Sequence, residues 1–431
     1  MELCLRAGGE QGLTDAELEA GLCCLLGAHP AKKVLILPPD YTRYHSKAGF
    51  LTRVCYRYYS ERGARVDILP TLGTHRPMTL SEIADMFGDI APQRFFVHNW
   101  RTDVETIGEI PADYLASISD GLWTEPIAVQ VNRMLLDELY DLIVSPGQVV
   151  PHEVAGMANH AKNIFVGAGG AEMINKTHML SAVFDMERMM GRDHTPVRRV
   201  FDYALERFYA ARPLLFLLTV TTAREGKILT HGLFAGRGRD VLEAAISLSR
   251  QKNIDFVARG VSKCVAYLNP GEYQSTWLGN KAIYRTRMAV ADGGELLILA
   301  PGVVKFGEDT AVDALIRKYG YCGRARTLGL FHDAGCGDLR ANMSAAAHLI
   351  HGSADGRFTV TYAVRPEMRG PIESVHFRSA DYAETVGRYD PGALSYGYNT
   401  LPGGEEIFFV PNPALGLWID RERFEREGGT L

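Results

Sequence analysis

KVLILPPDYTRYHSKAGFLTRVCYRYYSERGARVDILPTLGTHRP, residues 33–77, sets the architecture. Residues 33–37 (KVLIL) are a short apolar run closed by Pro38 and Pro39, the pattern of a strand buried in a parallel sheet. The next stretch places apolar and aromatic residues at helical spacing and stops at Gly63. Residues 65–70 (RVDILP) are a second strand, followed by a turn, TLGTHRPMT. Strand, loop, helix, strand implies a parallel sheet with helices on its faces. Ligands of such sheets sit in loops at the carboxyl ends of the strands. The polar loops after these runs are therefore where function is expected.

Outward from this unit the rhythm continues. Ser81-Glu82-Ile83 opens another helix, and residues 95–98 (FFVH) read as a third strand. Residues 126–131 and 142–144 continue the pattern, and 164–166 form a further apolar run ending in GAGG. Residues 180–212 read as helix, 214–222 (LLFLLTVTT) as a buried strand, and HGLFAGRGRDVLEAA as a turn leading into a helix. Further strands are expected at 255–259, 264–268 and 295–300, and the remainder mixes helix and strand, including HFRS near 376 and IFFVP near 407. The expected fold is two α/β domains with mainly parallel sheets, 1–262 binding the cofactor and 263–431 following it, with the active site in the cleft between them.

Composition narrows the function. With 46 % hydrophobic and 23 % charged residues, the chain of 431 residues is neither disordered nor fibrous. Forty-four glycines exceed the usual level of about 7 % and suggest close backbone approaches. The net charge is 46 − 51 = −5 with no basic cluster, so nucleic acid is not an expected partner. No apolar run reaches the roughly 20 residues of a membrane span, and the N-terminus lacks a secretory pattern. Seven scattered cysteines without a CxxC pair point to reduced thiols in a cytoplasm.

Three loops carry chemistry. In the first, Asp40-Tyr41-Thr42-Arg43, the Asp would orient a base and the Arg fork would grip a carboxylate. Equally, Asp40 or Thr42 would cap the next helix beside a solvated Arg43. In the second, Gly73-Thr74-His75-Arg76-Pro77, His75 is either a general base or a turn histidine bonded to a carbonyl. The third, SPGQVVPHEVAGMANHAKNIFVGAGGAEMINKTH (145–178), gathers His152, Glu153, His160, Lys162 and His178 among small residues. A lysine in so apolar a stretch is costly unless paired or covalently used. His160 stands eight residues after His152, so the HExxH spacing of zinc proteases is absent. GAGG lacks the spacing of a phosphate loop.

Taken in order, DYTR (40–43), GTHRP (73–77) and PHEVAGMANHAKNIFVGAGG with His178 resemble the nickel-dependent lactate racemase family, with His152, Lys162 and His178 ten and sixteen residues apart. The resemblance implies a nickel-pincer nucleotide, a pyridinium-3,5-bisthiocarboxylic acid mononucleotide holding nickel. Its thioamide link would be to Lys162 and its protein metal ligand would be His178. His75 and His152 would be the acid/base groups on opposite faces of the substrate. Asp40 and Thr42 would lie at the cofactor and base, and Arg43 at the substrate carboxylate. More loosely, Lys281 ahead of Gly293-Gly294 matches the family's second-half lysine. Proteins that synthesise the cofactor would be loading partners. The implied reaction takes hydride from Cα while a histidine takes the hydroxyl proton, and then returns hydride to the other face.

The sequence also departs from the family. Tyr44 stands where a proline commonly follows the Arg, and Leu278 stands where lactate racemase has a glutamine. Tyr41, Tyr44, His45, Tyr273, Gln274 and Trp277 would line the substrate pocket, so an aldonate or another larger 2-hydroxy acid is expected in place of lactate. The same aromatics would also serve as core packing. Two other readings are a zinc-type hydrolase built on His75, His152 and His178, and a cofactor-free protein that binds hydroxy acids.

Overall fold

A computed structural model describes residues 1–9, 11–224 and 227–426. The chain divides into two compact units. One is 1–180 with 189–253, the other 181–188 with 254–431. The changeover falls at 253/254, and the short crossing segment 181–188 groups with the second unit.

The first unit is built on a six-stranded sheet. Its spatial order is Leu3–Arg6, Lys227–Gly236, Leu214–Arg224, Leu142–Gln148, Lys33–Ile36 and Arg65–Ile68. The last four strands run parallel to one another, and the 227–236 and 3–6 strands are added antiparallel. Val34, Leu35 and Ile36 are fully buried, as a strand covered on both faces requires. Helices Asp15–Gly27 and Ala48–Ser60 bring Leu18, Leu22, Leu51, Val54 and Cys55 onto this sheet. A capping box fixes the start of the first, Thr14 accepting from the Glu17 amide while Glu17 reaches back to Thr14.

The second unit has its own six-stranded sheet, in the order Arg378–Asp381, Thr359–Val364, Val290–Leu299, Val261–Tyr267, Glu406–Val410 and Gly397–Thr400. All of its pairings are parallel except the last. Among the described residues, no helix is long and apolar enough to cross a membrane. All seven cysteines are free.

Several expected elements are different in the structure. Phe95 makes a single bridge to Ile68, and residues 96–98 are not strand. Ile127–Asn132 pairs with Val104–Ile110 in a separate antiparallel ribbon and does not extend the parallel sheet. The apolar run at 164–166 is part of a π-helical turn, Asn163–Gly167. The region 180–212 is two helices, Ala171–Phe184 and Pro196–Phe208, because Asp185 turns left-handed (φ 96°) and Thr195 caps a new start at Pro196. HGLFAG is strand, paired to 214–224 and not a turn.

One buried amide ties the strand ends together. Asn163 Nδ2 donates to the Leu37 carbonyl (2.9 Å) and the Ser145 hydroxyl (2.9 Å), and Asn163 Oδ1 accepts from the Thr71 hydroxyl (2.7 Å). Leu37 and Thr71 follow the carboxyl ends of two parallel strands, and Ser145 lies within a third. Replacing Asn163 with Leu keeps the volume and removes these partners; the Thr71 hydroxyl keeps the Pro38 carbonyl (3.1 Å), while each buried group left unsatisfied costs about 1–3 kcal/mol. Urea denaturation of Asn163→Leu is expected to show at least ~2 kcal/mol lost; unchanged stability would mean that water replaces the amide.

Candidate active site

Each strand end presents one of the predicted loops. After Lys33–Ile36, Asp40 caps the short turn Tyr41–Ser46, its Oδ1 accepting from the Thr42 amide (3.1 Å) and hydroxyl (2.5 Å). Its other oxygen accepts from His75 Nδ1 at 2.6 Å. The cap and the orienter are thus the same carboxylate. Thr42 meets the site through Asp40, its hydroxyl being committed there. Burial opposes ionisation of Asp40, but the His75 hydrogen bond and charge, Thr42 and Arg43 outweigh it and lower the pKa. His75 itself is exposed, and with Nδ1–H given to Asp40 its Nε2 is the accepting nitrogen.

The 145–178 segment folds back onto these loops. Pro151–His152 pairs with Gly156–Met157, and the tight turn brings the Val154 amide to donate to His152 Nδ1 at 3.0 Å. In neutral His152 the proton therefore sits on Nε2. Asn159 and His160 follow, both left-handed (φ 68° and 58°), conformations that non-glycine residues adopt only when the surroundings enforce them. The fully buried Arg198 does so, donating to the Met157 carbonyl (2.6 Å) and the Asn159 carbonyl (3.3 Å). His160 packs at a tilt on Phe216 (ring centroids 3.9 Å apart) and is held neutral by burial, which makes it a core residue.

Lys162 precedes the π turn, whose Ala168 amide donates to Asn163 O at 3.0 Å. The Gly73 amide donates to Gly167 O (2.8 Å), joining the His75 turn to this one. A Cβ on Gly169 would lie 1.8 Å from Phe165 O, so the turn needs glycine there. Buried His98 braces it from beneath, donating from Nε2 to Gly169 O (3.0 Å) and accepting on Nδ1 from Asn132 (3.0 Å). Lys162 is half-buried; desolvation and then Arg43 lower its pKa to about 8, against Glu153 and Asp40. His178, on the 171–184 helix, donates Nδ1–H to Ile174 O at 2.6 Å, which leaves the lone pair on Nε2. Desolvation, opposed by that hydrogen bond and reinforced by Lys162, pushes its pKa down to about 4.

The structure thus brings Asp40, Thr42, Arg43, His75, Lys162 and His178 into one electrostatic neighbourhood. Glu153 is the addition. It acts on both Lys162 and His178, and its signal in the sequence was its place beside His152. Tyr41 gives its hydroxyl to Asp85 (2.8 Å), and Tyr44 packs on Tyr41 with its ring partly exposed. In the second unit, Lys281 opens the helix Lys281–Thr286. Trp277 stacks on His348 (4.0 Å), and Tyr273 is buried with its hydroxyl on Asn412.

Among the described residues, one His/carboxylate group has metal-ligand geometry, Asp193, His194 and Glu243. Arg239 is bonded to both of its carboxylates. His75, His152 and His178 do not converge in this way, which disfavours the zinc hydrolase.

Residues 26–191 match the family model of the lactate racemase N-terminal domain. A lactate racemase from Thermoanaerobacterium thermosaccharolyticum is 25 % identical over 287 residues, 63 % of this chain. The match spans 61 % of that relative's length. A crystal structure of a protein from Thermotoga maritima superposes with a TM-score of 0.78 and 23 % identity, covering 96 % of this chain and 99 % of that one. The lactate racemase apoprotein of T. thermosaccharolyticum gives 0.67 and 18 %, covering 91 % and 87 %. The structural likenesses define the class, a two-domain α/β protein with mainly parallel sheets. In sequence, the chain is similar to the lactate racemase family over residues 26–191 and to the curated lactate racemase along the matched 287 residues.

His178 makes the fold pH-sensitive in a definite direction. Its pKa falls from 6.5 to about 4 on folding, so between those values the unfolded chain binds a proton that the folded chain does not. The neutral-histidine contribution is complete above about pH 6.5 and is lost as pH falls toward 4. Urea melts at pH 7 and pH 5 are expected to show a smaller acid loss in His178→Gln than in the parent; equal losses would contradict neutral burial.

Proposed function

We propose that this protein is a racemase or epimerase that inverts C2 of a 2-hydroxy acid. His75 and His152 serve as its acid/base pair, and Lys162 and His178 hold a nickel-pincer nucleotide. The observation that carries the reading is the opposite proton placement on the two histidines. Asp40 fixes His75 with a bare Nε2, ready to accept a proton. The Val154 amide fixes His152 with Nε2–H, ready to donate one. Inversion needs one group that takes the hydroxyl proton and one that returns a proton to the oxygen, and the two exchange roles when the opposite enantiomer is the substrate.

The residues fit the group. Lys162, with a pKa of about 8, is substantially neutral near that pH, as an amine that is to be acylated must be. His178 is neutral and offers Nε2. When bound, the nucleotide would supply the hydride-accepting centre, which avoids a carbanion beside a carboxylate. The remaining work belongs to the chain. His75 takes the hydroxyl proton, and the Asp40 carboxylate stabilises the imidazolium that forms. Arg43, exposed at the same loop, offers a fork to the substrate carboxylate. Glu153 offsets the positive charge of Lys162.

For the substrate we favour a sugar acid such as an aldonate. Tyr44 and His45 are exposed beside Arg43, where hydroxyls of a longer chain would meet polar aromatic groups. Cofactor-synthesis proteins would be needed for loading.

Peptide mass spectrometry with nickel analysis, on protein made alongside that machinery, is expected to find added mass on the Lys162 peptide; an unmodified peptide would overturn the cofactor assignment. His75→Asn and His152→Asn are expected to keep the adduct and lose epimerisation on the order of 10²-fold or more. Full activity in either would contradict the two-histidine scheme.

A further inference from the structure

A second cavity lies within the second unit, with a volume of about 610 Å³. It sits where Thr359–Val364 and Arg378–Asp381 begin, at the amino ends of parallel strands. Lys281 and Trp277 follow the carboxyl end of Val261–Tyr267 in the same parallel set, so this cavity is at the opposite end of the sheet. Its charged lining is Arg324, Arg326, Arg378 and Asp355, joined by His376.

The acid is already committed. Asp355 Oδ1 accepts from the Arg324 amide at 2.6 Å, at the start of the helix Arg324–His332, and Oδ2 lies 3.8 Å from Arg287. Arg324 keeps a longer pairing of 3.4 Å with Asp185. Among the described residues, the guanidinium groups of Arg326 and Arg378 have no side-chain hydrogen bond or ion pair, while their backbones belong to the helix 324–332 and the strand 378–381. Two unpaired guanidiniums facing one concavity, with a third held only loosely, repel one another until an anion enters. Each offers a planar fork suited to bidentate oxyanion contact.

We infer that this cavity is a binding site for a small oxyanion carrying two negative charges, a phosphate monoester or a dicarboxylate. Arg326 and Arg378 are its principal contacts and Arg324 a third. The inference does not depend on the proposed activity. Single charges are held too weakly by exposed arginines to compete with salt, whereas a dianion spans two forks at once.

Titration calorimetry at constant ionic strength, with inorganic phosphate and with succinate as probes and chloride as the control, tests this. At least one dianion should bind the parent protein above the chloride background, and which one binds tells phosphate from dicarboxylate chemistry. The double variant Arg326→Ala/Arg378→Ala should bind it at least tenfold more weakly. Arg326→Lys/Arg378→Lys, which keeps charge and loses the forks, should fall between. Both arginines are exposed, so the fold is retained; thermal melts without anion serve as the check. No binding of either dianion above chloride, or equal binding in the double alanine variant, would overturn the inference.

Discussion

The side-chain amide of Asn163 is the contact on which the candidate site depends. Three parallel strands deliver three polar groups to one buried point, and a single amide satisfies all three. A buried polar group without a partner costs more than a made hydrogen bond returns, so the amide fixes the relative height of the strand ends. Asn163 follows Lys162 directly, and the π turn that begins there puts the lysine above the sheet. The loops holding Asp40, His75 and Lys162 therefore share a common support, and their geometry is set by the sheet.

Above that support, backbone groups decide the proton positions. Three histidines of one chemistry receive three different partners on Nδ1, namely a carboxylate, an amide and a carbonyl. The first makes a proton acceptor of His75. The amide makes a donor of His152. A carbonyl partner leaves His178 a neutral nitrogen fit for a metal. Composition and burial alone would not separate these roles, because the distinction rests on local turns such as the one that points the Val154 amide back at its neighbour.

Much of this was legible in the sequence. Apolar runs closed by prolines marked the strands at 33–36 and 65–68, and the polar loops after them contain Asp40 and His75. What the sequence left open follows from physical causes. Short apolar runs do not name their partners, so 126–131 read as part of the main sheet and became a ribbon, while 164–166 became a turn. Asp40 was open between cap and orienter, and it is both, one oxygen for each. Glu153 was visible only as half of a failed zinc pattern. Arg198, thirty-nine residues beyond Asn159, had no sequence signal for its grip on that backbone. Of the aromatics expected at the pocket, Tyr44 is exposed, Tyr273 is buried, and Trp277, partly buried, stacks on His348.

Nitrogen-15 spectra of the histidine rings, recorded without cofactor at a pH where the rings are neutral, test the central claim most directly. The account predicts Nδ1–H tautomers for His75 and His178 and the Nε2–H tautomer for His152. An Nδ1–H tautomer at His152, or an Nε2–H tautomer at His75, would contradict the division of roles on which the proposed chemistry rests.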